Sequence, residues 1–201
     1  MPDFPTQELA LVARVRGLLR PYLEPFAAMS SVPESFWGAL SVNESGIYIW
    51  PNETGLLKNI PPRFEPNIFK RIKAVAEGEP AEYAGVTQTD LAGTDASYWR
   101  DLSSSWGPTQ IMGYHAVRLN ESLWNLRQPS THYPIAAKIM AEFTDRFNLD
   151  PTKQFEEMFR VWNVGVPHGR ETFDPNYISN GIMRMQIWQA LSDLENAKSA
   201  P

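Results

Sequence analysis

Apolar side chains at alternating steps of three and four decide what this chain can fold into. In "FEEMFRVWN" they are Phe155, Met158, Phe159 and Trp162, which fall on one face of a helix. The same spacing recurs in Leu11, Val15, Leu18, Leu19 and Tyr22, in Ile68, Phe69, Ile72 and Val75, and in Ile135, Ile139 and Phe143. It appears again in Ile178, Ile182, Met185 and Trp188, between about 175 and 196. Such stripes must be buried against one another, so the expected fold is mainly α-helical. With 201 residues, no repeat and no clear linker, one domain spanning 1–201 is expected. Residues 1–30 form a helical N-terminal extension packed on it.

Punctuation residues set the expected boundaries. Pro21 and Pro25 should kink or end the first helix. A second helix opens at "SVPESFW", with Pro33 in its first turn, Glu34 beside its positive end and a stripe of Phe36, Trp37 and Leu40. Gly46 is suited to stop it. Residues 47–64 show no helical period, and a short hairpin is expected around Asn52 to Gly55. Residues 79–107, polar and rich in Gly, Ser and Thr, read as a long surface excursion holding Asp90, Asp95 and Asp101. "GPTQIMGYHAVRL" reads as a helix start with Pro108 in the first turn, which projects Gln110 from that turn.

Composition narrows the chemistry. With 18 basic against 23 acidic residues, the chain lacks the basic stripe of a nucleic-acid or membrane-surface binder. The absence of cysteine removes disulfides, thiolate metal sites and thiol catalysis. His115, His132 and His168 show no HExxH or paired spacing, so no metal and no cofactor is expected. Seven tryptophans suit a sugar partner, though core packing accounts for most of them. No apolar run is long enough for a membrane span, and "MPDFPTQELALVARVRGLL" has no signal-peptide pattern. A soluble, monomeric protein made in the cytoplasm is expected.

Glu44 stands out as a candidate acid. It sits in the last turn of the second helix, where the carbonyl ends disfavour a carboxylate. Burial among Trp37 and Trp50 would act in the same direction and keep it protonated near neutral pH, as a general acid requires. A glutamate at a helix end is more often simply solvated. "SSSWGPTQIMGYH" and "FRVWNVGVPHG" add Gln110 and Asn163, each of which local chemistry also explains as a helix-end residue.

The order of these stretches carries a resemblance. "RFEPNIFKRI" resembles the FE-x-x-x-F segment of the N-acetylmuramidases of phages and bacteria, and "SSSWGPTQIMGYH" is similar to their SWG-x-x-QIMG. "VWNVG" resembles the YNAG of lytic transglycosylases, with Trp162 in place of tyrosine. Together, over about residues 36–188, they resemble the lysozyme-like superfamily, goose-type lysozymes and soluble lytic transglycosylases in particular. The resemblance implies a lysozyme-like domain with at most a small β-hairpin region. It implies cleavage of the β-1,4 bond between N-acetylmuramic acid and N-acetylglucosamine in bacterial peptidoglycan, after release to the wall by phage lysis or from a virion. Glu44 is then the catalytic acid, and Gln110, Tyr114, Trp162 and Asn163 line the sugar cleft.

A hydrolase often adds a second carboxylate to activate water. Glu53, Glu65, Asp90, Asp95 and Asp101 are candidates. Asp101 is preferred because it precedes the Gln110 motif at a plausible distance, whereas Glu65, just before Pro66, fits a helix N-terminus. A lytic transglycosylase needs no second carboxylate: Glu44 would donate its proton and take one back as the muramic C6 hydroxyl closes an anhydro ring. Chitin hydrolysis, and a non-catalytic wall-binding or phage structural module, are the competing functions.

Overall fold

A computed structural model describes residues 3–49, 60–170 and 174–199. The fold is mainly α-helical with two small antiparallel sheets. Five helices contribute most of the larger core: α1 (Thr6–Ala27), α2 (Glu34–Ser45), α8 (Pro129–Phe147), α9 (Phe155–Val164) and α10 (Tyr177–Ser199). Between α2 and α8 the chain builds a smaller region. It comprises β1 (Arg63–Phe64), α3 (Pro66–Ala76), β2 (Glu82–Tyr83), β3 (Val86–Thr87), α4 (Gln88–Leu91), α5 (Ala96–Leu102), β4 (Ser104–Trp106), β5 (Ile111–Met112), α6 (Tyr114–Arg118) and α7 (Leu123–Arg127). Strand β4 pairs with both β1 and β5, while β2 and β3 form a separate hairpin.

Helix α2 is the axis of the larger core. Every residue from Ser35 to Val42 is buried, so it is enclosed on all sides rather than amphipathic. Gly38 lets α10 come close: a Cβ there would stand 2.4 Å from the Trp188 ring. Ser41 Oγ lies 2.8 Å from the Trp37 carbonyl and 2.9 Å from the Tyr133 hydroxyl, so this polar group is satisfied in the core.

Several boundaries differ from expectation. Helix α1 runs unbroken through Pro21 and Pro25. An interior proline costs about 3 kcal/mol, but Val12, Val15, Leu19 and Leu23 are fully buried along this helix, and each such burial returns roughly 1.5–3 kcal/mol. Gly46 does not end α2 in a left-handed turn; at φ −54° it continues into one 3-10 turn, Gly46–Tyr48. Its small size matters instead, because a Cβ would lie 3.2 Å from Val42. The hairpin expected at Asn52 to Gly55, together with Trp50 and Glu53, lies outside the described residues.

Residues 79–107 are no mere surface excursion. Val86, Leu91 and Leu102 close over Ile72 and Val75 of α3 as a second core cluster. Asp90 and Asp95 serve as local caps, Asp90 in a capping box with Thr87 and Asp95 at the start of α5. The helix expected from Gly107 begins only at Tyr114. Gly107 (φ 72°) and Gln110 (φ 55°) are left-handed, which excludes a helix and makes "GPTQ" the turn between β4 and β5. No helix among the described residues is long and apolar enough to cross a membrane.

Candidate active site

The cleft lies where the two groups of elements meet. Its volume is about 420 Å³, within the range of small-ligand sites. The larger core lends Glu44, Ile139, Phe143, the end of α9 from Val161 to Val164 and the Gly165 that follows it. The smaller region lends Arg63, Glu65, Ile68 and the stretch from Gln110 to His115, Gly113 excepted. Glu44, Gln110, Tyr114, Trp162 and Asn163 are thus brought together.

The β4–β5 turn fixes that meeting. Three successive carbonyls of the turn each accept a side-chain donor from a different place. Gly107 O takes Gln110 Nε2 at 3.0 Å, Pro108 O takes Ser45 Oγ at 2.6 Å, and Thr109 O takes Trp162 Nε1 at 2.9 Å. Ser45 follows Glu44 and Trp162 precedes Asn163, so these bonds set both flanks of the cleft. Beneath the turn, buried His132 holds Leu126 O through Nδ1 and Thr109 through Nε2. Burial drives its pKa down to about 4, so it stays neutral and structural.

Glu44 is half-buried at the end of α2. Loss of water pushes its pKa up from 4.5 to about 7, even though the Tyr177 hydrogen bond and the Arg63 charge pull it down. The Tyr177 hydroxyl donates to Glu44 Oε1 at 2.5 Å, which leaves Oε2 to carry the proton. The backbone around Tyr177 is held in turn. Its carbonyl accepts from Asn43 Nδ2, Asn43 Oδ1 accepts from Arg184, and Arg184 makes a two-pronged pair with Glu8 of α1. Tyr177 is a positioning residue that sequence reading missed. It is 133 residues from Glu44, and no local pattern connects them.

Gln110 has one amide hydrogen bonded within the turn, and its oxygen accepts from Ser105 Oγ at 2.7 Å. The second amide hydrogen remains for a ligand. Asn163 is more telling, because among the described residues its buried Oδ1 has no hydrogen-bond partner, an arrangement that favours a donor arriving from the cleft.

Asp101, the second carboxylate preferred from sequence, is not brought to the cleft. It sits on α5 and is not among the cleft-lining residues; its backbone carbonyl accepts from Trp106 Nε1 at 2.9 Å. Glu65, read from sequence as a helix N-terminal residue, is the second carboxylate among the described residues that line the cleft. It does occupy the N-cap of α3, yet its side chain makes no cap hydrogen bond and pairs with Arg63 (Nε–Oε1 3.0 Å). Among the described residues no group of three or more His, Cys, Asp or Glu is placed to hold a metal ion.

Comparison of the chain with protein-family models, curated proteins and solved structures finds no match. A functional reading therefore rests on the residues of the cleft and their chemistry.

Proposed function

We propose that this protein is a glycosidase of bacterial peptidoglycan. It cleaves the β-1,4 bond between N-acetylmuramic acid and N-acetylglucosamine, with Glu44 as general acid. One observation carries the reading: a carboxyl with its pKa raised to about 7 faces a cleft also lined by Gln110, Trp162 and Asn163. A carboxylic acid that keeps its proton near neutral pH can protonate a leaving sugar oxygen. A module that only binds glycan gains nothing from a shielded acid there, and burial makes that acid a cost to the fold.

In the proposed reaction, Glu44 Oε2 gives its proton to the glycosidic oxygen as the C1–O bond breaks. Positive charge develops at C1, and water attacks that carbon while Glu65 takes the water proton. Glu44 ends ionised and Glu65 protonated, and exchange with solvent resets both. Glu65 favours this hydrolytic course over closure of an anhydro ring, which uses only Glu44. The partner is the glycan strand of the wall, met by the protein as a monomer after release.

Digestion of purified peptidoglycan, with mass spectrometry of the products, tests the proposal. The wild type should release fragments with reducing ends and Glu44→Gln should release at least 100-fold less. Equal activity of the two proteins would reject Glu44 as the acid, and no release by either would favour a binding module. Glu65→Gln should lower reducing-end release by about 100-fold. Undiminished release, or anhydro ends from the wild type, would remove Glu65 from the mechanism.

A further inference from the structure

We propose that His115 is an uncharged hydrogen-bond donor fixed in the cleft, and that it selects the carbonyl oxygen of a substrate acetamido group. The inference rests on the glycan reading for its ligand, but not for the state of the ring. Arg118 sets that state. Its Nε and Nη2 lie 3.2 and 3.0 Å from His115 Nδ1, and a guanidinium can only donate. Nδ1 must therefore present its lone pair, so the proton of the neutral ring is on Nε2. A second proton, on Nδ1, would point at the guanidinium. Burial and the Arg118 charge push the ring pKa down to about 3, so the ring remains a neutral donor across ordinary pH.

Arg118 is itself held in place. Its Nη1 pairs with Glu142 of α8 at 2.6 Å, and its stem packs against Gly85 in the β2–β3 hairpin, where a Cβ would stand 2.8 Å from Arg118 Cγ. The Tyr114 ring lies against His115 at 4.4 Å between centroids. His115 lines the cleft, and among the described residues its Nε2 has no hydrogen-bond partner. The donor is thus prepared before any ligand arrives.

The surroundings say which acceptor suits it. The same cleft holds Asn163 Oδ1, a buried acceptor without a partner among the described residues, and the apolar side chains of Ile139 and Phe143. An acetamido group offers the matching three parts: a carbonyl oxygen, an N–H and a methyl. A de-N-acetylated sugar offers an ammonium instead. It has no acceptor for Nε2–H and places positive charge near Arg118, so it is refused.

Binding to the Glu44→Gln protein isolates recognition from cleavage. Titration with tetra-N-acetylchitotetraose and with its fully de-N-acetylated counterpart should show at least tenfold tighter binding of the acetylated sugar, about the value of one well-placed hydrogen bond. Adding His115→Phe should erase the preference, and adding His115→Gln, which keeps an N–H donor, should restore part of it. In parallel, nitrogen-15 spectra of the parent protein should show His115 protonated on Nε2 alone, with Arg118→Met producing a mixture of tautomers. Equal binding of both sugars, a preference that survives His115→Phe, or a proton on Nδ1 would overturn the proposal and leave the glycan reading standing. Failure of both sugars to bind would overturn the two together.

Discussion

Glu44→Gln is expected to be more stable than the wild type by about 3 kcal/mol at pH 8 while losing at least 100-fold in cleavage. The stability effect follows from proton linkage. The unfolded chain releases the Glu44 proton near 4.5 and the folded chain holds it to about 7. Between those values the folded state binds more protons, so stability falls as pH rises through the window. Below pH 4.5 both states are protonated and the residue carries no penalty. Above pH 7 both are ionised, and the fold bears the whole cost of a carboxylate deprived of water. Glutamine is neutral throughout and still offers an oxygen to the Tyr177 hydroxyl. Urea denaturation of the two proteins from pH 4 to pH 8 should show curves that nearly coincide at the acid end and separate upward. A gap independent of pH would point to packing rather than charge.

Gly107→Ala should be severely damaging, at a cost of about 3–5 kcal/mol. Two terms add. The residue is left-handed at φ 72°, and an alanine Cβ would stand 2.2 Å from the Leu126 carbonyl and 2.5 Å from His132 Nδ1. Neither neighbour is a flexible side-chain tip. The His132 to Leu126 bond beneath the turn would break, and the turn that ties Ser45 to Trp162 would shift. Activity should therefore fall along with the denaturation midpoint. Gly93→Ala supplies the comparison, because Gly93 has φ 75° but an alanine Cβ there would meet nothing within 4 Å, so only the backbone term of about 1–2 kcal/mol remains. Equal losses at the two positions would mean that close approach at Gly107 is unimportant.

The helices were legible where one face carried the apolar load. The stripes at Ile135, Ile139 and Phe143, and at Phe155, Met158, Phe159 and Trp162, correspond to α8 and α9. Helix α1 was legible in its pattern but not in its length, because the penalty of its prolines is local and the burial that offsets it is tertiary. The β4–β5 hairpin was illegible for a different reason. Its strands are three and two residues long, too short for an alternating pattern, and Pro108 imitates a helix start. The small core was hidden because its apolar residues are scattered among polar ones.

Within the site, the residues that sequence could supply were those in ordered motifs: Glu44, Gln110, Tyr114, Trp162 and Asn163. Tyr177 and Arg63 act on Glu44 from distant segments, and spacing says nothing of such contacts. The choice between Asp101 and Glu65 turned on which side chain faces the cleft. Both precede the Gln110 turn, but only Glu65 lies on the segment between β1 and α3 that opens onto it.

The proposed reaction depends above all on the proton held by Glu44. Carbon-13 spectra of glutamate-labelled protein, with Glu44 assigned by the signal lost in Glu44→Gln, follow that proton directly as pH is raised. A midpoint near 7, moving higher in Tyr177→Phe as a bond that favours the carboxylate is removed, is the predicted result. A midpoint below 5 in the wild type would mean an ordinary solvated carboxylate and would contradict the account.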